Sequence, residues 1–291
     1  KLYNPKREIK LNKGIYFMFF ATIFFMVVKI GVKLLPHIPP MEIVFFRCLI
    51  SFLITYFLLK RKGHSVLGNN KLLLTGRGVF GTIGLYLYFV ILQEIPLATA
   101  STLIYLTPLF TSFVGVILLK EKMTVTQWFL LLTAFVGILL IQGYDERVTI
   151  NYVLLGALGS LCAAFAYSII RYLKDKEHSL VLMIYFPMIA CPIGAIFSYF
   201  NWVTPSLEDY LVLISIGIFT QFAQYFMTRA YQSSEVSKVS IVSYIEILFV
   251  IAIGSIYFNE NFETLVYIGM FLVTFGVVFN VTYFKSDKQN I

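Results

Sequence analysis

Ten stretches of about 20 mostly apolar residues, separated by short polar segments, limit this chain to one kind of fold. They lie near 14–35, 41–59, 72–93, 96–118, 126–142, 152–171, 180–200, 210–231, 236–257 and 264–284. Each has the length of a helix that crosses a bilayer. In lipid, every backbone N–H and C=O must be satisfied inside the segment itself, which leaves helices or a closed barrel. The alternation of a barrel strand is absent. The expected fold is therefore an all-α integral membrane protein of ten transmembrane helices.

Composition agrees. Of the 291 residues, 59% are hydrophobic and 13% charged, against about half apolar and a quarter charged in soluble domains. One soluble core has too little interior for that much apolar surface. The 29 Phe suit lipid contact, and the 19 Tyr suit interfaces or a polar-tipped cavity. Cys48, Cys162 and Cys191 all fall in apolar runs without metal or disulfide spacing. The first run follows a basic segment, as a signal peptide does, but nine similar runs follow, so it is read as a retained span.

The formal charge of +8 does not point to nucleic acid, because its placement is that of topology-setting charge. With the N-terminus in the cytoplasm, 18 Lys and Arg fall in cytoplasmic segments. Only Lys33 and Arg147 fall outside. Both termini are then cytoplasmic, and a bacterial inner (cytoplasmic) membrane is the preferred location.

The chain carries an internal repeat. An offset of 139 aligns Ser101 with Ser240, Tyr105 with Tyr244, Gly115 with Gly254, Glu121 with Glu260 and Gly137 with Gly276, and reaches back to Tyr86 with Tyr225 and Gln93 with Gln232. An offset of 142 pairs Gly14 with Gly156, Ala21 with Ala163 and Lys29 with Arg171. The chain divides near 144–151, giving repeats 1–146 and 147–291. Five spans is an odd number, so the second copy enters the membrane from the opposite side. Inverted repeats supply two equivalent packings, each open to one face, which is how many secondary transporters work. Duplication without mechanical meaning is the plainer alternative.

The segment Pro96-Leu97-Ala98-Thr99-Ala100-Ser101, followed by Tyr105-Leu106-Thr107-Pro108-Leu109-Phe110 and ending Leu118-Leu119-Lys120-Glu121-Lys122, resembles the EamA-type family of the drug/metabolite transporter superfamily. Lys29 and Phe46-Arg47 fit the same pattern. The resemblance implies two inverted five-helix repeats, a central cavity, alternating access and a metabolite cargo. One departure is visible: Glu246-Ile247 stands where the first half has Thr107-Pro108.

Ionisable residues inside a span are costly and mark functional positions. Here they are Lys29, Arg47, Arg77 and Glu246. Lys29 lies about 22 Å along span one at 1.5 Å per residue, so it can share a depth with Arg47 in the outer half. For each cation, snorkelling to a headgroup is the competing reading. Glu246, about 11 residues into span nine, is the deepest carboxylate. Burial disfavours a charged carboxylate, so Glu246 is the candidate for proton coupling, for an amine of the substrate, or for a structural ion pair with Lys29 or Arg47. Tyr86, Tyr105, Gln221, Tyr225 and Tyr244 are further candidate substrate-binding residues, with Tyr88 and Gln224 beside them. Each can equally bond helix to helix. Pro108 removes a donor in mid-span, so a kink or hinge is expected there. In span six, Gly156, Ser160, Ala164 and Ser168 make a small-residue packing face.

Enzyme motifs are missing: His37, His64 and His178 are scattered in loops, and no nucleophile elbow, zinc motif or phosphate loop occurs. The expected function is secondary transport of a small polar metabolite, leaning to an amino acid or another carboxylate-bearing anion. No cofactor or metal is called for. Proton coupling or exchange would supply the energy, in a monomer or homodimer. A channel-like or structural membrane protein, or a membrane-embedded enzyme, are the alternatives.

Overall fold

The computed structural model describes residues 13–94, 103–142, 149–249 and 264–287, and they are helical with no strand among them. In chain order the helices are α1 (Lys13–Lys33), α2 (Pro40–Arg61), α3 (Lys71–Glu94), α4 (Thr107–Leu118), α5 (Val125–Gln142), α6 (Ile150–Tyr172), α7 (Ser179–Phe200), α8 (Leu207–Ser233), α9 (Val236–Val239) and α10 (Thr264–Asp287). Five of them, α1, α2, α6, α7 and α8, are each long and apolar enough to cross a membrane. Large apolar side chains such as Phe57, Phe129, Ile196 and Phe271 stand exposed on the outer surface, as lipid-facing positions do.

Helix starts follow their local chemistry. Pro40 opens α2 in the first turn, where a missing N–H costs nothing. Ser206 and Asp209 form a capping box at α8, each side chain accepting from the other's backbone N–H.

The fourth and ninth spans are not continuous helices. The helix at 103–104 gives way to a turn at Tyr105 and Leu106, and α4 restarts at Thr107 with Pro108 in its first turn. The expected proline kink is thus a full break, and proline is tolerated because it opens a helix instead of interrupting one. The ninth span begins as the single turn α9, tightens into a 3-10 segment at Ser240–Tyr244, and returns to helix at 245–249. The two breaks fall at the repeat mates Tyr105 and Tyr244.

Helix packing obeys the repeat. α1 packs on α8 as α3 packs on α6, and α2 meets α8 as α7 meets α3. The pairs α2·α7 and α5·α10 join mates directly, and α4 packs on α6 as the ninth span packs on α1. Advancing these principal contacts by five spans returns them to one another, as expected for two copies related by a twofold axis. Glycines allow the closest crossing. A Cβ on Gly137 of α5 would lie 2.6 Å from the Gly269 carbonyl oxygen of α10, and one on Gly269 would lie 2.5 Å from that of Gly137. The small-residue face of α6 does what its spacing suggested: a Cβ on Gly156 would collide with Leu103, and Ser160 donates to the Leu103 carbonyl at 2.9 Å.

Candidate functional site

Where the helices diverge around the two breaks, a cavity of about 260 Å³ opens. α1 contributes Lys29, α2 Arg47, α3 Arg77 and Tyr88, and α6 Tyr167. The break at Tyr105 and Pro108 forms one wall, and Ser243 and Glu246 of the ninth span form another. Apolar side chains fill the rest, among them Phe25, Phe186 and Met227. A mainly apolar hollow with a few convergent polar groups is the usual form of a small-molecule site.

The four in-span charges all face this hollow, but they are not equivalent. Lys29 Nζ lies 2.8 Å from Glu246 Oε1 and 5.7 Å from the centre of the Tyr105 ring. That pair is neutral overall. Arg47 and Arg77 are 9% and 2% exposed and form no ion pair among the described residues. Nε of each arginine is buried without a hydrogen-bond partner. Among the described residues, the hydrogen bond of Arg77 is a long one, 3.4 Å from its Nη2 to Gln224 Oε1, and its guanidinium lies 5.3 Å from the Phe186 ring centre. Removing a charge from water without a counter-charge costs several kcal/mol, and among the described residues the two guanidiniums have no carboxylate partner.

Some of the neutral hydroxyls here are committed to backbone. Thr22 donates to the Met18 carbonyl at 2.9 Å, and Ser243 donates to that of Ser240 at 2.6 Å. Tyr167 stands within electrostatic reach of Arg47, Arg77, Lys29 and Glu246, and its ring stacks on Tyr231 at 5.0 Å. Tyr167 and Tyr231 were not singled out from the sequence. A signal existed for the first: the offset that pairs Lys29 with Arg171 also pairs Phe25 with Tyr167, and both line the cavity.

Other expected contacts lie elsewhere. Tyr86 is exposed and its ring rests 5.6 Å from Phe197. Tyr225 is exposed beside Phe226. Gln221 ties α8 to α2, accepting from Ser51 at 2.6 Å and donating to Thr55 at 2.8 Å. Tyr244 is fully buried behind the wall, where its hydroxyl donates to the Tyr105 carbonyl at 2.9 Å. None of these four lines the cavity. Of the repeat pairs, Gln93 with Gln232, Ser101 with Ser240, Gly115 with Gly254 and Glu121 with Glu260 each have a member outside the described residues or side chains.

The cavity lining runs to Val32 and Ile91, near the ends of α1 and α3. Its floor, toward the Lys- and Arg-rich end of the molecule, is made by the buried Met18, Met227 and Tyr231. Below the floor the two halves are clasped. Glu121 accepts from the Val236 and Ser237 N–H groups at 3.0 and 3.2 Å, and from the Ser237 hydroxyl at 2.8 Å. Arg171 Nε lies 3.5 Å from the same carboxylate, and its Nη1 donates to the Gln232 carbonyl. Nearby, Glu177 accepts from the Asn69 and Asn70 amides, both at 2.7 Å. Lys29 and Arg171, mates in the repeat, thus each pair with a carboxylate of the opposite half.

Comparison with known proteins agrees with this geometry. The model of the EamA-like transporter family matches residues 12–143 and again 150–282, one copy per half. The pseudopaline exporter CntI of Pseudomonas aeruginosa (strain UCBPP-PA14) is 29% identical over 271 residues, covering 92% of this chain and 95% of the exporter. Solute carrier family 35 member G1 of Mus musculus is 27% identical, covering 86% of this chain and 73% of that protein. A solved crystal structure superposes with a TM-score of 0.80 over 96% of this chain and 99% of its own, at 17% identity, and so shares the fold.

Proposed function

Because this chain belongs to the EamA-like transporter family, and is a multi-pass membrane transporter and not an enzyme, we propose that it carries a small polar metabolite with a carboxylate or other anionic group, amino acids included, by alternating access. The observation that carries the reading is the pair of buried guanidiniums, Arg47 and Arg77, facing a cavity with no carboxylate of the described residues to neutralise them. Tyr105 and Tyr88 complete the walls, and the Lys29–Glu246 pair sits beside them as the group that exchanges a proton. The repeats 1–146 and 147–291 rock about the breaks at Pro108 and Tyr244. The basic end is cytoplasmic by the distribution of Lys and Arg, in an inner membrane, so the clasped state described here faces outward. The clasp of Glu121 with Val236, Ser237 and Arg171 at the basic end speaks against an open channel.

The test is counterflow in proteoliposomes, with labelled amino acids and organic acids as probes. A carrier gives saturable uptake accelerated by the same solute inside. Arg47→Ala should abolish it while the protein remains folded. Wild-type counterflow by that variant removes Arg47 from the mechanism, and flux that never saturates replaces the carrier with a channel.

A further inference from the structure

Charge bookkeeping within the cavity sets the valence of its occupant, and we infer that the substrate binds as a dianion, with Arg47 and Arg77 its counter-charges and Lys29 excluded from that role. The inference rests on the transporter reading above and narrows it.

Four formal charges meet the cavity. Lys29 and Glu246 cancel each other across 2.8 Å, so the pair offers an anion no net attraction. Two positive charges remain. They stand on neighbouring helices, α2 and α3, with Tyr167 of α6 in electrostatic reach of both. Neither has a carboxylate partner among the described residues, and Nε of each is a buried donor left open. Guanidinium presents five donors in a fixed fork that matches two oxygens of a carboxylate or phosphate. Gln224 engages one fork only at 3.4 Å and supplies no charge. A neutral solute would leave both forks uncompensated, and a monoanion would leave one. A dianion of metabolite size satisfies both at once. Two chemistries meet this description: a small dicarboxylate, or a phosphate monoester, which carries nearly two charges at neutral pH.

The experiment measures binding to the purified full chain in nanodiscs by thermal shift and calorimetric titration. One series keeps the carbon skeleton and varies charge alone: succinate, succinamate and succinamide. A second arm is glycerol 3-phosphate against glycerol. The expected result is a half-saturation about tenfold or more lower for a dianion than for its monoanionic or neutral counterpart, the margin of one charge-assisted bidentate contact. The better arm identifies the source of the dianion. Arg77→Gln and Arg47→Gln should each collapse the preference, while Arg47→Lys, which keeps the charge, should retain most of it. Tyr86→Phe, exposed against Phe197 and outside the cavity, should leave the preference intact. Equal binding across each series, no response to either dianion, or a preference that survives Arg77→Gln in folded protein overturns the inference. A dianion that binds as expected yet shows no counterflow overturns the transporter reading instead.

Discussion

The hydroxyl of Tyr244 donates to the carbonyl of Tyr105 across 2.9 Å, and their rings meet edge to face with centres 6.1 Å apart. These two residues are repeat mates, each at the point where its own span loses α-helical geometry. The bond is thus where the central helices of the two halves cross. Tyr244→Phe keeps the ring and removes the bond. A buried neutral hydrogen bond contributes about 0.5–1.5 kcal/mol, so a modest drop in melting temperature is expected, with a larger loss of turnover if this crossing is the pivot. Unchanged turnover would assign the bond to stability alone.

The ion pair of Lys29 with Glu246 is another contact between the two halves. Breaking a buried pair from one side typically costs about 3–5 kcal/mol. The Lys29 side chain is 30% exposed, which lowers the expectation to about 1–3 kcal/mol. Glu246→Gln should therefore destabilise the protein, and adding Lys29→Met should recover part of the loss. If Glu246 couples protons, the same single variant flattens the pH dependence of counterflow. A wild-type pH profile in Glu246→Gln rejects coupling there.

Glu121 serves the amides of Val236 and Ser237, the Ser237 hydroxyl and Arg171 together. Removing an acceptor with several buried partners costs about 1–3 kcal/mol. In Glu121→Ala, hydrogen exchange at the Val236 and Ser237 amides should accelerate while exchange in the middle of α2 stays slow. Protection that persists at both amides would show that the clasp is held by other contacts.

Much of this was legible in the sequence because lipid imposes coarse, repetitive rules. Span length pointed to the helices, and the repeat offsets of 139 and 142 pointed to two similar halves, each of which the family model matches once. The cost of buried charge drew attention to Lys29, Arg47, Arg77 and Glu246, and all four face the cavity. What the pattern could not resolve was direction around a helix. Tyr86 and Tyr88 are two residues apart and face nearly opposite ways: the first lies against Phe197, the second lines the cavity. Gln221 and Gln224 divide similarly, one binding α8 to α2 and the other reaching Arg77. Partner choice was equally hidden. Lys29 and Arg47 both had a claim on Glu246, and only the fold assigned Lys29 to it. The breaks were foreshadowed by Pro108 in the fourth span, whereas the ninth span carries no proline, and its 3-10 turn at Ser240–Tyr244 emerges from packing.

The proposed rocking of the two halves is most directly measured as a distance across the basic end. Cys48, Cys162 and Cys191 are free thiols and would first be replaced. Spin labels at the exposed positions Lys122, in the first half, and Lys174, in the second, then report the separation by pulsed electron resonance in nanodiscs. The account predicts one short distance in the clasped state and a second, longer population when transported solute is added or when Glu121 is replaced by Ala. A single distribution unchanged by both treatments would contradict it.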